Sequence, residues 1–520
     1  MDDQTAPGTI DQLIRMRADQ YGHKPMVIDP ATRISYRELH STTRDLAASF
    51  IEAGVGKGAR VGLIMPNNTR WVQVAMALTR IGAVLVPLST LLAAGELVAQ
   101  LRAASVQFLV SVPEFRGHRY LDDVHSVPPL ELPALRQIWT ADQLADLPSS
   151  PRASRVVDAL CNTVTEADPL LIVFTSGSSG PPKGVIHSHG SALGAVRSGL
   201  AARCITFDTR LYLPMPFFWV GGLGSGILSA LLAGATLVTE EVPRPETTLR
   251  LLQSERVTLF RGWPDQAEAL ARHAEALARH AGAAGVDLSA LRPGSLDALL
   301  PPEQRAHPGA RANLFGMTEA FGPYCGYPAD SDMPPAAWGS CGKPFPGMEV
   351  RVVDPESGEP VATGTVGMIE LRGPHTLRGI CRRAREDVFT ADGFYPTGDL
   401  GHLDAEGFLF YHGRSDDMFK VSGATVYPSE VERALRSVAG VDNAYATNVP
   451  GAAGERVGAA VVCRGLTAEQ LQASARELLS AFKVPTVWLL LESDDDLPRG
   501  ATGKVDTRRL RELLTNAENT

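Results

Sequence analysis

Short apolar runs alternate with amphipathic stretches over the first two-thirds of the chain. Ser35 and Glu38 have the spacing of a capping box, which predicts a helix opening there and running toward Gly54. Residues Arg60–Met65 form an apolar run closed by Pro66, Asn67 and Asn68, which predicts a buried strand. A helix is expected over Thr69–Ile81 and a second apolar strand over Ala83–Val86. The same rhythm predicts strands at Gln107–Ser111, Leu170–Thr175, Leu211–Leu213, Ala235–Thr239 and Val257–Phe260. Strands that are apolar throughout and separated by helices belong to parallel sheets covered on both faces.

The pattern then changes. From about Met348 to Tyr411 short alternating strands separated by glycines predict an antiparallel, β-barrel-like subdomain. After Gly413 a smaller α+β pattern begins, with helices near Ser429–Val438 and Ala468–Phe482. Strands are expected near Asn443–Val449, Val457–Val462 and Val487–Leu491. The fold class is therefore α/β, with a body over residues 1–413 and a small C-terminal domain over 414–520, of about 100 residues. A doubled heptad, Glu268–Ala274 followed by Glu275–Ala281, places His273 and His280 two helical turns apart. Two copies without a third ligand nearby read as an alanine-rich solvated helix.

Composition narrows the function classes. The 520 residues exceed what one core uses, and ~100–200 residues per domain suggests two to four units. A net charge of −9 with no basic block speaks against nucleic acid as a partner. No apolar run approaches the ~18 residues of a membrane span, and the polar start Met1-Asp2-Asp3-Gln4 is not that of a signal peptide. Six scattered cysteines without a C-x-x-C suit reduced thiols in the cytoplasm. The 49 glycines and 37 prolines sit between apolar segments, where they build shaped loops.

The sharpest chemical signal follows the strand at Leu170–Thr175. Thr175, Ser176, Gly177, Ser178, Ser179, Gly180, Pro181, Pro182 and Lys183 form a loop of hydroxyls and glycines ending in one lysine. Glycine lets successive N–H groups turn toward an anion, and the hydroxyls and Lys183 add donors and charge. The loop is not a Walker motif, because Pro182 and Gly184 stand where glycine and Ser/Thr are required. It contains no G-x-S-x-G, so it offers no hydrolase nucleophile.

The loop resembles the signature loop of the adenylate-forming (ANL) superfamily, in its acyl- and aryl-CoA ligase branch. Four further elements follow in that family's order. Phe315-Gly316-Met317-Thr318-Glu319 is similar to the family's aromatic-G-M-T-E element. The resemblance implies that Phe315 stacks on adenine, that Thr318 contacts the α-phosphate and that Glu319 ligates Mg²⁺, with Asn313 and Gly316 in the same nucleotide site. Thr397-Gly398-Asp399 resembles the element whose aspartate receives the ribose hydroxyls. Gly413-Arg414-Ser415-Asp416-Asp417 resembles the hinge, with Arg414 reaching the nucleotide and Asp416 absorbing rotation of a mobile C-terminal domain. Leu497–Lys504 resembles the catalytic lysine loop, in which Lys504 bridges the attacking carboxylate and the α-phosphate. Ser422 and Gly423, within Lys420–Gly423, would line the pantetheine tunnel of coenzyme A.

Leu213–Gly222 occupies the place of the family's acyl-site segment, with Phe218, Trp219 and Gly221 as pocket residues. Trp219 stands where histidine is usual, and the two aromatics either gate the pocket or belong to the core. The segment carries no acid to meet an ammonium group, which disfavours an α-amino acid. The final residues, Ala517–Thr520, lack the S-K-L peroxisomal address.

A larger departure precedes Phe315. Leu296 and Asp297 replace the usual glycine pair of the adenine-pocket wall, Leu299 replaces a proline, and the stretch from Glu303 through His307-Pro308-Gly309 is short. At a positive φ a leucine would be strained there. Two readings follow. Either the wall is rebuilt and both half-reactions are intact, or the protein performs only the thiol step on acyl-AMP made by a separate adenylating enzyme. The implied activity is conversion of a small carboxylic acid to its CoA thioester with ATP, Mg²⁺ and coenzyme A. Loading of a carrier protein is a further alternative.

Overall fold

A computed structural model describes residues 7–175, 183–262, 270–272, 286–415, 417–421, 424–451, 454–500 and 505–517. The chain separates into two compact units, Met1–Glu349 with Arg372–Gly393, and Val350–Leu371 with Phe394–Thr520.

The first unit contains the predicted parallel sheets. Val84–Pro87, Arg60–Ile64, Phe108–Ser111 and Gln137–Thr140 lie side by side, and Pro169–Thr175 joins beyond Val84–Pro87, all parallel. A second sheet runs Leu259–Phe260, Arg210–Tyr212, Thr236–Val238, Pro25–Ile28, Arg33–Ser35, parallel except for the last pair. Val61, Leu63, Leu85, Leu109, Leu211 and Leu237 have no solvent exposure, as continuous apolar strands covered on both faces require. The helix at Tyr36–Glu52 opens on the expected capping box, and Asn68 caps Thr69–Arg80 by accepting from the Trp71 N–H at 2.8 Å.

One strand escapes the alternating rhythm. Lys183–Ser188 pairs antiparallel with Pro169–Thr175, Thr175 opposite Lys183, and Gly379–Ile380 extends the sheet on its far side. The phosphate-type loop therefore joins two antiparallel strands instead of a strand and a helix. Only Val185 and Ile186 are strongly apolar in that strand, too short a run to stand out beside Lys183 and His187.

A buried ion pair ties the first helices together. Arg80, wholly shielded from solvent, gives Asp11 two hydrogen bonds at 2.6 and 2.9 Å and reaches the His40 carbonyl and the Thr43 hydroxyl. Removing one member leaves the other charge buried without its partner. Asp11→Ala should cost about 3–5 kcal/mol in urea unfolding. The double replacement Asp11→Leu with Arg80→Met should restore most of that loss.

In the second unit Glu349–Val353, Gly367–Arg372, Tyr395–Leu403 and Leu409–Arg414 form a four-stranded sheet, the last three antiparallel in turn. Its C-terminal part has helices at Pro428–Arg436, Ala468–Leu478 and Thr507–Ala517, and the hairpin Val441–Gly451/Gly454–Cys463. Val487–Leu491 adds to that hairpin in parallel. The helix expected to reach Phe482 stops at Leu478, because Leu479 turns extended to join the core with Val484. The Ala468 helix carries a capping box from Thr467.

All six cysteines are free. Among the described residues no helix is long and apolar enough to cross a membrane. The doubled heptad lies outside the described residues except for Leu270–Arg272, of which Leu270 is buried.

Candidate active site

The Phe315–Glu319 element folds as a hairpin in the first unit. Phe315–Met317 pairs antiparallel with Gly322–Gly326, and Thr318–Ala320 makes a single 3₁₀ turn between them. Phe321 and Gly322 close the turn with φ of 55° and 111°. Gly316 is required by the pairing, since a Cβ there would lie 2.1 Å from the Gly322 carbonyl oxygen. The turn is held from two sides. His187 Nε2–H donates to the Thr318 carbonyl at 2.7 Å, and the Leu377 N–H donates to the Glu319 carbonyl at 2.7 Å. Burial pushes the His187 pKa down to about 4, so the ring is a neutral donor at physiological pH.

Glu319 is 7% exposed, Phe315 and Thr318 are half-buried, and Asn313 and Gly316 are exposed. The Phe315 ring meets the Tyr324 edge at 5.5 Å, and the Asn313 N–H donates to the Ser340 carbonyl at 3.3 Å. Four of the predicted nucleotide-site residues, Phe315, Gly316, Thr318 and Glu319, are thus brought into one short hairpin, with Asn313 two residues before it. Thr175 and Lys183 face each other across the neighbouring hairpin, both half-buried. Ser176, Gly177, Ser178, Ser179 and Gly180 lie outside the described residues, as do Asp416, Ser422, Gly423 and Lys504.

The acyl-site segment departs from an ordinary helix. Gly221–Leu228 is a π-helix, a wider coil that recurs at functional sites. Four glycines in it allow close packing: a Cβ on Gly222 would lie 2.1 Å from the Pro216 carbonyl oxygen. The preceding turn is clamped by Asn67, which donates to the Met215 carbonyl and accepts from the Phe217 N–H, both at 2.8 Å. Phe217 packs in the core against Trp71, with ring centroids 5.4 Å apart. Phe218 is 5% exposed and Trp219 half-buried, their rings edge to face at 5.5 Å. Phe321 joins the parts: its ring lies 5.0 Å from that of His187, and a Cβ on Gly224 would touch it at 3.2 Å.

The altered wall is unstrained. Leu296 has φ −61° and ψ 128°, and Asp297–Leu299 forms one 3₁₀ turn. The Leu296 N–H donates to the Phe260 carbonyl at 3.2 Å, and the Ser295 hydroxyl accepts from the Phe260 N–H at 3.1 Å. Leu299 and Leu300 are buried and Leu296 packs against the same apolar cluster, while Asp297 is exposed. Leu296 needs no glycine here, because it takes up an ordinary extended conformation with a negative φ before the turn.

In the second unit Asp399 and Arg414 are register partners. Arg414 Nη1 donates to Asp399 Oδ1 at 3.2 Å and to the Thr397 carbonyl at 2.9 Å. Gly398 has φ 74°, and a Cβ there would lie 2.8 Å from Arg414 Nη2. The Asp399 N–H donates to the Thr397 hydroxyl at 3.0 Å, which fixes the carboxylate on its strand.

A family model described as AMP-binding enzyme matches residues 14–381, more than half of the chain. The chain belongs to the AMP-binding enzyme family. Among its relatives is a Mycobacterium tuberculosis (strain ATCC 25618 / H37Rv) CoA ligase whose propanoyl substrate carries a 7a-methyl-1,5-dioxo-octahydro-1H-indenyl ring. The two are 32% identical, over 98% of this chain and 99% of that one. A feruloyl-CoA synthase of Amycolatopsis sp is 30% identical, over 94% and 96%. The anthranilate CoA ligase AuaEII, solved with anthranoyl-AMP, has the same fold with a TM-score of 0.82 over the whole of both chains, at 22% identity.

Three features of this AMP-binding enzyme were not singled out as site features on sequence grounds. His187 had a faint signal, a polar ring inside the apolar strand Lys183–Ser188. Asn67 reads locally as one residue of a strand-ending turn, and its two bonds span 148 and 150 positions. The π-helix had no signal beyond its glycines.

Proposed function

We infer that this AMP-binding enzyme is an acid–thiol ligase that joins a carboxylic acid to coenzyme A through an acyl-AMP intermediate. The observation that carries the reading is the Thr318–Glu319 turn, anchored by His187 and Leu377 and packed through Phe321 against the acyl segment. Thr318 meets the α-phosphate, Phe315 stacks on adenine with Asn313 and Gly316 beside it, and Thr175–Gly180 with Lys183 receives the β- and γ-phosphates. Asp399 holds the ribose and Arg414 the nucleotide. Lys504 neutralises the carboxylate and α-phosphate as they meet. Ser422 and Gly423 line the path of the pantetheine thiol, with Asp416 as the hinge of a C-terminal domain over 414–520.

Glu319 suits Mg²⁺, an ion that takes one or two carboxylates and fills its other positions with water and phosphate oxygens. Among the described residues no group of three or more His, Cys, Asp or Glu forms an all-protein metal cage. When bound, the ion supplies charge neutralisation on the phosphates. Six free cysteines suit the reducing cytoplasm as the place of action.

The unstrained Leu296 wall favours intact adenylation over a thiol-only role. We expect ATP–pyrophosphate exchange that depends on a carboxylic acid, and CoA thioester from both free acid and supplied acyl-AMP. Thioester from acyl-AMP alone, without exchange, would establish the thiol-only reading. Loading of a carrier protein with no product on free coenzyme A would establish the third.

A further inference from the structure

The Thr318 carbonyl accepts two hydrogen bonds with different effects. The Phe321 N–H, 3.0 Å away, closes the 3₁₀ turn on itself and fixes its shape. His187 Nε2–H, at 2.7 Å, comes from an element 131 residues away and fixes where the turn sits. A carbonyl oxygen has two lone pairs, and both are taken. His187 belongs to Lys183–Ser188, the strand that follows the phosphate-type loop. Residues two apart on a strand share a face, so Lys183, Val185 and His187 point the same way, with His187 roughly 13 Å along from Lys183. One face of one short strand thus carries both the lysine assigned to the β- and γ-phosphates and the ring that meets the α-phosphate turn.

The ring is oriented at both nitrogens. A carbonyl can only accept, so Nε2 carries the proton and Nδ1 is left as an acceptor. The Ser191 hydroxyl lies 3.3 Å from Nδ1, in the first turn of the helix His189–Ser198. The imidazole has no solvent exposure, and the Phe321 ring stands edge-on to it with centroids 5.0 Å apart. Phe321 makes this contact at φ 55°, a left-handed state that a bulky side chain seldom adopts and that persists only where its surroundings hold it. A leucine or phenylalanine at position 187 would fill the space without the cost of burying a polar ring.

We propose that His187 is a positioning residue of the adenylation step: through the Thr318 carbonyl it sets the distance between the α-phosphate turn and the strand that presents Lys183. The proposal rests on the ligase reading above. In-line displacement of pyrophosphate needs the α-phosphate and the two leaving phosphates aligned at once, and an error of about 1 Å can cost ~100-fold. Acyl transfer to the thiol makes no such demand, because the β- and γ-phosphates have already left.

Three variants separate the hydrogen bond from the packing. His187→Phe keeps a ring and removes the donor, and His187→Leu removes the donor without the bulk of the larger ring. His187→Gln keeps an N–H at the reach of Nε2 without the ring. Acid-dependent ATP–pyrophosphate exchange should fall ~10–100-fold in His187→Phe and His187→Leu, and only a few-fold in His187→Gln. Thioester formation from supplied acyl-AMP should stay near wild type in all three. By calorimetry, the two variants without the donor should bind MgATP about tenfold more weakly relative to AMP, which carries no phosphate for Lys183. Thermal unfolding checks that the variants compared are folded. Exchange that follows the ring, with His187→Phe active and His187→Gln impaired, overturns the assignment, as does an equal loss in both half-reactions or of both nucleotides. If the wild type forms no thioester from any acid but MgATP still weakens against AMP only in the variants without the donor, the ligase reading falls and the His187 assignment stands.

Discussion

Lys504→Ala is expected to lower acyl-AMP formation by at least ~10²-fold, the scale of losing one donor aimed at a transition state. Transfer of the acyl group from supplied acyl-AMP to coenzyme A should continue at a near wild-type rate. The two half-reactions ask different things of the protein. In the first, a carboxylate must approach a phosphate that already carries negative charge, so a cation between them lowers the barrier directly. In the second, a thiol attacks an already activated carbonyl and AMP departs, and no second anion has to be brought up. Lys504→Arg should not restore the first step, because a planar fork does not replace a compact point charge. Acid-dependent ATP–pyrophosphate exchange measures the first step, and thioester from acyl-AMP the second. Exchange at a near-normal rate in Lys504→Ala would sink the assignment.

Glu319→Gln is expected to lower adenylation by about 10²-fold as well, with partial recovery at high Mg²⁺. The structure makes this a clean substitution. The turn is held through the carbonyls of Thr318 and Glu319, by His187 and by the Leu377 N–H. Glutamine keeps the size and one side-chain oxygen of glutamate, so these main-chain anchors stay while the charge is lost. Thermal unfolding should therefore change little, which separates loss of chemistry from loss of structure. An unchanged kcat for adenylation at limiting Mg²⁺ would remove Glu319 from the role of metal ligand.

Much of this architecture is legible in the pattern of residues. The capping box at Ser35–Glu38, the apolar strands and the break in pattern near Met348 all depend on neighbours close in sequence. Such local signals survive without knowledge of the fold. The Lys183–Ser188 strand did not stand out because its partner decides its state: an apolar pair becomes a strand by adding to Pro169–Thr175. The helix expected through Phe482 failed for a related reason. Nothing local forbids another turn after Leu478, but the core of that unit takes Leu479 and Val484. Leucine is unstrained at position 296 because φ there is −61°, a backbone state that no local pattern distinguishes from the positive φ that would demand glycine.

By itself the sequence determined the fold class and supplied the candidate elements of the site. The chemistry demands particular residue types at fixed local spacing, as in Thr175–Lys183, Phe315–Glu319 and Thr397–Asp399. Tertiary structure alone decided what holds those elements in place. His187 meets the Thr318 carbonyl across 131 positions and Asn67 clamps the acyl segment from nearly 150 away. Hydrogen bonds and burial act over ångströms in space, and no spacing along the chain encodes which distant residues will come that close.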